Sequence, residues 1–259
     1  MSAAHDRLSG IARLYGKSSF EKFLHSTVLI AGIGGVGSWT AECLARSGVG
    51  HLILVDPDDL CITNTNRQVH AHDGNYGRPK VEAMADRLSS IQPDIRLTLI
   101  PAFYSEKSSE ELFGLHPDAV VDAIDSLRAK CHLIATAHGR GLPLVTSGAA
   151  GGRVDPTRIR LADLTLCGRD ALLSSVRRRL RQEHGFAPAP AKGDPEPFGI
   201  DAVFSDERPV FPTCDGETSH DRPSELLGSI GCDAGYGSAT HVTASFGFAC
   251  AARILEKLR

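Results

Sequence analysis

Four glycines near the beginning of the chain stand at the spacing of an anion-binding turn: Gly32, Gly34, Gly35 and Gly37. They follow the apolar run 27–31 and precede a helical pattern, which is the strand–turn–helix context of a nucleotide-binding unit. Gly32 permits a tight turn, Gly34 lets backbone N–H groups approach an anion, and Gly37 lets the helix pack closely on the strand. The N-terminus of that helix would then face the phosphates of a nucleotide.

An acidic residue follows the glycines at the distance expected for a ribose ligand. Asp56 comes after the apolar run 51–55, about 20 residues beyond the last glycine, and its carboxylate can accept hydrogen bonds from ribose hydroxyls. Taken alone, the turn and the acid favour a dinucleotide such as NAD. The structural alternative is a glycine-rich turn that only packs a helix against a sheet.

A polar segment that contains an arginine lies between Asp56 and the next predicted helix. An enzyme that attacks ATP at its α-phosphate needs such a segment, because fixed cations must meet the charge of the leaving pyrophosphate. Arg67 supplies a planar fork and Lys80 a point charge, while Asn64 can bind a phosphate or position a neighbour. A dehydrogenase needs no cations here, so the segment favours ATP over NAD.

Asp125 is the candidate magnesium ligand. It directly follows the predicted strand 118–124, and ligands of open α/β sheets bind beyond the carboxyl ends of the strands. A carboxylate at that place can hold Mg²⁺. The residues alone leave other roles open: Arg67 and Lys80 as ordinary surface cations, and Asp122 or Asp125 as the N-cap of a helix.

Composition excludes several classes of protein. The chain has 259 residues, of which 42% are hydrophobic and 23% charged, as is typical of soluble globular proteins with one large or two small domains. The net charge is −3, so contact with a nucleic acid would need a local basic patch. The seven cysteines contain no C-x-x-C pair, which argues against a zinc site or a disulfide framework and favours the cytoplasm. No apolar run is long enough to span a bilayer.

Strand and helix patterns alternate from residue 27 to residue 146 and predict an α/β fold. The expected architecture is a Rossmann-like, mostly parallel sheet with helices on both faces and a C-terminal elaboration. A helical pattern covers residues 7–25, and a helix start is expected near Ser18. The run 187–199 is rich in Pro, Ala and Gly and predicts a mobile loop.

The ordered motifs resemble those of the ubiquitin-activating-type adenylating enzymes, which include the adenylyltransferases of molybdopterin and thiazole synthesis. The matching pieces are Gly32-Ile-Gly34-Gly35-Val-Gly37, Asp56-x-Asp58, Asn64-x-x-Arg67-Gln68, Lys80 and Asp122-x-x-Asp125. The resemblance implies that Asp56 binds ribose and that Asp125 holds Mg²⁺. It assigns the triphosphate of ATP to Asn64, Arg67 and Lys80, and implies that Arg67, Lys80 and Asp125 are catalytic. The four glycines and Asp58 complete the implied nucleotide site.

Further phrases along nearly the whole chain resemble a narrower group, the tRNA threonylcarbamoyladenosine dehydratases. They are Gly10-Ile-Ala-Arg-Leu-Tyr-Gly16, Thr63-Asn-Thr-Asn-Arg-Gln68, Asp122-Ala-Ile-Asp-Ser126, Gly151-Gly-Arg-Val-Asp-Pro156, Val203-Phe-Ser205 and Thr243-Ala-Ser-Phe-Gly-Phe248. The likeness implies ATP-dependent cyclisation, with net loss of water, of the modified adenosine beside the anticodon of tRNA, through adenylylation of its carboxylate. The alternative is an adenylyltransferase that activates the C-terminus of a ubiquitin-like or sulfur-carrier protein.

The resemblance also implies the organisation of the chain. One adenylating domain would cover residues 1–259, with a nucleotide-binding core at 7–150 and a substrate-side elaboration at 151–259. Within the elaboration, Arg177 and Arg181 lie four residues apart on a predicted helix and share a face. Together with Arg153, Arg158, Arg160 and Arg169, which lie nearby in the sequence, they form the most basic region of the chain. This basic region suits contacts to tRNA phosphates, and a solvated helix face is the alternative.

Two expectations concern partner molecules. Enzymes of this family form homodimers in which an N-terminal arginine reaches the ATP site of the partner; Arg13 is the candidate here, with Arg7 nearby. Some relatives pass sulfur through a cysteine, which would make Cys232 the contact for a sulfur-relay partner; a loop cysteine without a role is the alternative. Cys61 falls in an apolar pattern and is predicted to be buried.

Overall fold

Seven strands build the central sheet of the computed structural model, which describes residues 6–213, 215–221 and 236–259. They are β1 Thr27–Ala31, β2 His51–Val55, β3 Arg96–Ile100, β4 Ala119–Asp122, β5 Leu144–Ser147, β6 Ile159–Asp163 and β7 Asp201–Ser205. Their order across the sheet is β3-β2-β1-β4-β5-β7-β6, and the pairs are parallel except for β6 with β7. The α/β prediction is therefore confirmed.

Helices cover both faces of the sheet. They are α1 Ser9–Tyr15, α2 Lys17–His25, α3 Gly37–Arg46, α4 Lys80–Ile91, α5 Glu106–Phe113, α6 Leu127–Gly139, α7 Ala171–Glu183 and α8 Thr240–Leu258. Side chains alternate along a strand, so Val28 and Ile30 of β1 join the hydrophobic cluster under α3, α4 and α8. Leu29 and Ala31 join the cluster under α5, α6 and α7 on the other face.

Three functional turns meet at one edge of the sheet. Because β2, β1 and β4 are neighbours and run parallel, their carboxyl ends lie side by side. The glycine turn follows β1, Asp56 follows β2, and Asp125 follows β4. This is the edge at which open α/β sheets bind their ligands.

The C-terminal part of the chain shares the core of the N-terminal part. Strand β7 extends the sheet next to β5, and β8 Phe211–Pro212 and β9 Thr218–Ser219 form a separate small hairpin. Helix α8 packs on α3 so closely that a Cβ on Gly247 would lie 2.8 Å from the Cβ of Trp39. The division of the domain at residue 150 stays a prediction.

The N-terminal helical pattern differs from its prediction in one respect. It is interrupted at Gly16, whose φ of +88° favours glycine, so α1 ends at Tyr15 and α2 begins at Lys17. Residues 187–199 contain no helix or strand. Within the described ranges, no helix has the length and apolar character needed to cross a membrane.

Candidate nucleotide-binding and active site

The glycine turn has the shape that its spacing predicts. Gly32 has a φ of +91°, and a Cβ there would lie 2.6 Å from the carbonyl oxygen of Ala123. A Cβ on Gly37 would lie 1.7 Å from the carbonyl oxygen of Gly32, so neither position tolerates a side chain without movement of the backbone. A Cβ on Gly34, by contrast, would meet only the amide Nε2 of Gln68, at 4.0 Å. The turn is closed where helix and strand pack and open where a ligand would approach.

Asp56 is fixed beside this turn by backbone donors. Its Oδ2 accepts a hydrogen bond from the N–H of Ile33 at 2.6 Å, and its Oδ1 accepts one from the N–H of Asp58 at 3.0 Å. The residue is buried. Burial raises the pKa of the Asp56 carboxyl, and the nearby Lys80 ammonium acts in the opposite direction. A second lone pair on each oxygen is available to a ribose hydroxyl.

Lys80 joins the acidic residues of the second strand end. It begins α4, its backbone N–H donates to the carbonyl of Asp58 at 3.0 Å, and its side chain is largely buried. Its Nζ lies 2.6 Å from Asp58 Oδ2 and 3.6 Å from Asp56 Oδ1. The structure therefore brings these three predicted residues into one cluster, in which Asp58 orients the ammonium.

Asn64 shapes the turn that carries Arg67. The Asn64 side chain is buried, and its Oδ1 accepts a hydrogen bond from the N–H of Cys61 at 3.0 Å. Arg67 Nη1 donates to the carbonyl of Thr63 at 2.8 Å and to Asn66 Oδ1 at 3.0 Å. In the described part of the chain no carboxylate pairs with Arg67, so its charge remains available to an anion. A Cβ on Gly35 would lie 3.5 Å from the Arg67 side chain, which places that side chain against the glycine turn.

Asp125 is exposed, and its carboxylate has no partner among the described residues. The N-cap of α6 is Ser126, so the alternative in which Asp125 caps this helix is wrong. Asp122 does not cap the helix either, because it is fully buried with Lys130. The described residues also contain no group of three or more His, Cys, Asp or Glu arranged to hold a metal ion. A cation at this edge would therefore need oxygen ligands from the nucleotide as well as Asp125.

Two buried polar residues at this edge were not predicted. Gln68 Oε1 has no hydrogen-bond partner, and its amide nitrogen is the atom that a Cβ on Gly34 would meet. His70 is fully buried, and neither of its ring nitrogens has a partner. Burial, followed by the charges of Lys80 and Arg87, lowers the pKa of His70 to about 3. Nothing in a polar segment distinguishes a buried histidine from an exposed one, so the sequence carried no signal for it.

The last helix holds the Arg67 segment from the opposite end of the chain. The carbonyl of Arg67 accepts hydrogen bonds from Trp39 Nε1 at 3.0 Å and from the Thr243 hydroxyl at 3.2 Å. The Thr240 hydroxyl donates to the carbonyl of Asn66 at 2.7 Å. Helix α8 therefore belongs to the site, although more than 170 residues separate these partners.

The basic region is largely bound within the protein. Arg177 donates to the carbonyl of Cys167 at 2.7 Å, and Arg181 to that of Ala187 at 3.1 Å. The face that these two arginines share therefore already contacts backbone carbonyls of the protein, and its contact with tRNA phosphates stays a prediction. Arg178 is exposed and has no hydrogen bond or ion pair with the described residues.

The described cysteines include one exposed thiol and several buried ones. Cys61 is exposed rather than buried, because it begins the short 3₁₀ turn Ile62–Asn64; a hydrogen bond from the Thr63 hydroxyl lowers its pKa. Burial raises the pKa of Cys167 and of Cys250 to about 12, so neither thiol is a nucleophile near neutral pH. Cys214 and Cys232 lie outside the described residues.

The two N-terminal arginines occupy different environments. Arg7 donates to the carbonyls of Ser90 and Ile91 at 3.2 and 3.1 Å, at the C-terminal end of α4. That end lies about 16 Å from Lys80 at about 1.5 Å per helical residue, so Arg7 is remote from the cluster that Lys80 forms with Asp56 and Asp58. Arg13 is exposed on α1 and has no hydrogen bond or ion pair within the described ranges.

The site combines an open glycine turn, two cations and an unpaired carboxylate at the ends of parallel strands. This combination is that of a nucleotide-binding α/β protein. The model of the ThiF family matches residues 5–257, and the chain belongs to this family. It is 41% identical over 257 residues to the tRNA threonylcarbamoyladenosine dehydratase of Escherichia coli K12, covering 99% of this chain and 94% of that protein.

Solved structures and a second class of relative complete the comparison. The crystal structure of the E. coli tRNA N6-threonylcarbamoyladenosine dehydratase in complex with ATP superposes with a TM-score of 0.86, at 40% identity, over 99% of this chain and 96% of that one. The E. coli molybdopterin-synthase adenylyltransferase is 38% identical over 130 residues, which are 50% of this chain and 51% of that protein. The likeness to the dehydratases thus includes the C-terminal half.

Proposed function

We propose that this protein is an ATP-dependent tRNA threonylcarbamoyladenosine dehydratase. The observation that carries the proposal is the sheet edge at which the turn is open at Gly34, the Arg67 side chain lies against Gly35, and the Asp125 carboxylate lacks a partner among the described residues. An open anion site, a fixed guanidinium and a free carboxylate are what adenylate formation requires. The full-length similarity to dehydratases supports the choice of substrate.

The first step is adenylylation. The substrate carboxylate attacks the α-phosphorus of ATP, an acyl–phosphate bond forms, and pyrophosphate leaves with the electron pair of the broken P–O bond. Arg67 and Lys80 bind the triphosphate and stabilise the charge that develops on pyrophosphate. Asp56 accepts hydrogen bonds from the ribose hydroxyls. Asp58 keeps the Lys80 ammonium in place through the 2.6 Å contact between Asp58 Oδ2 and Lys80 Nζ.

The residues at this edge fit Mg²⁺. This ion is usually bound by one or two carboxylates together with substrate phosphates and water, rather than by a cage of protein ligands. Asp125 supplies one such carboxylate. When bound, the ion would neutralise part of the triphosphate charge.

The second step needs no enzyme nucleophile. A protonated atom of the same modified nucleoside attacks the adenylated carboxyl carbon and gives up its proton. The bond from that carbon to the bridging oxygen breaks, and AMP leaves with the former carboxylate oxygen, so the net change in the nucleoside is the loss of water. The closure is intramolecular and gains effective molarity. Buried, high-pKa thiols such as that of Cys167 support a route without a thioester. Among the described residues, Cys61 is an exposed cysteine close in sequence to Asn64 and Arg67, so the variant Cys61→Ser is expected to keep cyclisation activity.

We also propose that the protein is a homodimer and that Arg13 enters the ATP site of the partner. Its exposure and lack of contacts support Arg13 over Arg7, which is bound to the end of α4. Arg13→Ala and Lys80→Ala should each be inactive, whereas a mixture of the two proteins should recover part of the activity, because one site of each mixed dimer keeps both residues. A mixture as inactive as its components would contradict the arrangement.

The test of the function supplies tRNA that carries threonylcarbamoyladenosine, with ATP and Mg²⁺. We expect a cyclic nucleoside by mass spectrometry and release of one pyrophosphate per product, and neither with Asp125→Asn. The alternative function is the adenylylation of a ubiquitin-like or sulfur-carrier protein, which the half-length similarity to an adenylyltransferase supports. Pyrophosphate exchange that depends on a carrier protein, with no cyclic nucleoside, would favour that alternative.

A further inference from the structure

A fully buried ion pair lies directly behind the candidate magnesium ligand. Asp122 ends β4 and Lys130 belongs to α6; both side chains are 0% exposed, and Lys130 Nζ lies 2.9 Å from Asp122 Oδ2. The Thr146 hydroxyl of β5 donates to the same oxygen at 2.6 Å. Replacing a buried ion pair by apolar residues of similar volume is often neutral or stabilising. Stability alone therefore does not account for two charges at this position.

The ion pair holds both backbone groups of the residue that precedes Asp125. The N–H of Ile124 donates to Asp122 Oδ1 at 3.2 Å, and the carbonyl of Ile124 accepts from Lys130 Nζ at 2.9 Å. Asp125 follows Ile124 directly, and its carboxylate has no contacts of its own with described residues. The contacts on Ile124 therefore set where the Asp125 carboxylate lies.

The same short segment also supports the glycine turn. The N–H of Ala123 donates to the carbonyl of Ala31 at 2.9 Å, and the Ala123 carbonyl lies where a Cβ on Gly32 would be. A shift of the segment would change the distance between the Asp125 carboxylate and an anion bound at the turn. That distance matters, because Mg²⁺ accepts little deviation from octahedral ligands at about 2.0–2.1 Å.

We infer that Asp122, Lys130 and Thr146 are positioning residues that hold the Asp125 carboxylate at the place where it ligates Mg²⁺ on bound ATP. The inference rests on the proposed function, because it takes Asp125 as the magnesium ligand. It concerns the nucleotide and the metal alone, so it can be tested without tRNA.

The measurement is the gain in ATP affinity that Mg²⁺ produces, from calorimetric titrations of the full chain with ATP in the presence and absence of the metal. The double variant Asp122→Asn/Lys130→Met removes both charges together, so we expect it to fold with stability near that of the unmodified protein. Its affinity for metal-free ATP should be unchanged, while the gain from Mg²⁺ should fall about tenfold, since loss of a residue that orients a metal ligand costs about 10–100-fold in metal affinity. A purely structural pair would change stability and leave this gain alone.

Two further variants make the test independent of the folding of the double variant. Thr146→Val keeps both charges and removes one hydrogen bond to Asp122, and the gain should fall about threefold, less than with the double variant. Arg128→Met is the matched control: Arg128 lies on the same helix but forms an exposed ion pair with Glu106 at 3.0 Å, so the gain should not change.

The outcomes separate the inference from its premise. Asp125→Asn should abolish the gain. If it does, and the folded double variant and Thr146→Val both keep the full gain, the positioning role is overturned while the metal site stands. If Asp125→Asn keeps the gain, the metal assignment and the positioning role fall together. Failure to form a cyclic nucleoside would affect neither titration.

Discussion

The glycine-turn edge and the basic region both collect positive charge, but they use it differently. At the edge, Arg67 is half-buried, and its hydrogen bonds to described residues all come from Nη1. The other two guanidinium nitrogens, Nε and Nη2, remain available to a ligand. In the basic region, Arg153 is 5% exposed and donates from both terminal nitrogens to the carbonyls of Glu207 and Arg169. Arg158 of that region pairs with Asp206 at 2.6 Å.

The difference shows that charge counted along a sequence does not measure the charge that a surface offers to a ligand. A guanidinium is available only where the fold leaves its donors without acceptors. The arginines of the basic region lie close to backbone carbonyls and to Asp206, so most of them stabilise the fold. At the edge, the turn after Asn64 presents Arg67 to open space.

The largest expected effect tests the availability of Arg67. Arg67→Ala should lower turnover by about 10²–10³-fold, about 3 kcal/mol of transition-state stabilisation, with little change in the free energy of unfolding. Steady-state kinetics and chemical denaturation measure the two quantities. Arg78→Ala is the matched control, because Arg78 already pairs with Asp86 at 2.7 Å. Equal losses of turnover in both variants would contradict the special position of Arg67.

The next effect tests the structural use of Arg153. Arg153→Met removes two charge-assisted hydrogen bonds from a buried position and should lower the free energy of unfolding by about 2–3 kcal/mol. The salt dependence of tRNA binding by the folded variant should stay unchanged. If the variant is as stable as the unmodified protein and binds tRNA more weakly and with less salt dependence, Arg153 contacts tRNA and does not serve the fold.

Below neutral pH, His70 should make the glycine-turn edge sensitive to acid. Its pKa is about 3 in the folded protein against 6.5 ordinarily, so between these values the unfolded chain binds more protons. Stability should therefore fall as the pH falls below about 6.5, by up to about 1.4 kcal/mol per pH unit. Denaturation at several pH values should show this slope reduced in His70→Leu, whereas the variant of the exposed neighbour, His72→Leu, should keep it.

The smallest effect tests what remains of the basic region as a tRNA surface. Arg178 is exposed without a partner among the described residues, so Arg178→Ala should leave stability unchanged. If α7 contacts tRNA, the slope of log affinity against log salt should become shallower by about 0.7–0.9, the contribution of one phosphate contact. The same change in Arg177→Ala would show that its contact with the Cys167 carbonyl opens on binding.

Features with a local cause were predictable from the sequence. The apolar runs gave β1 and β2, because strands buried on both faces carry no alternation, and the glycines gave the turn, because Gly32 and Gly37 have no room for a Cβ. The helix start expected near Ser18 is confirmed to within one residue, because α2 begins at Lys17. The break at Gly16 was not predicted, since a glycine inside a helical pattern is compatible with either outcome.

Features that depend on tertiary contacts were not predictable. Asp122 and Lys130 are eight residues apart, and only the crossing of α6 over the end of β4 turns them into a buried pair. The exposure of Cys61 depends on the 3₁₀ turn that Asn64 closes, which an apolar pattern does not reveal. The acceptors of the basic region were not predictable either, because the fold decides which carbonyls and carboxylates come within reach of each arginine.

The dependence of the Arg67 segment on α8 has a consequence for synthesis of the protein. The chain leaves the ribosome N-terminus first, so the glycine turn and Arg67 emerge long before Thr240 and Thr243 can fasten the segment. A nascent chain thus carries Arg67 before the helix that holds its segment has been made. The native arrangement of this segment can form only after Thr240 and Thr243 have been synthesised.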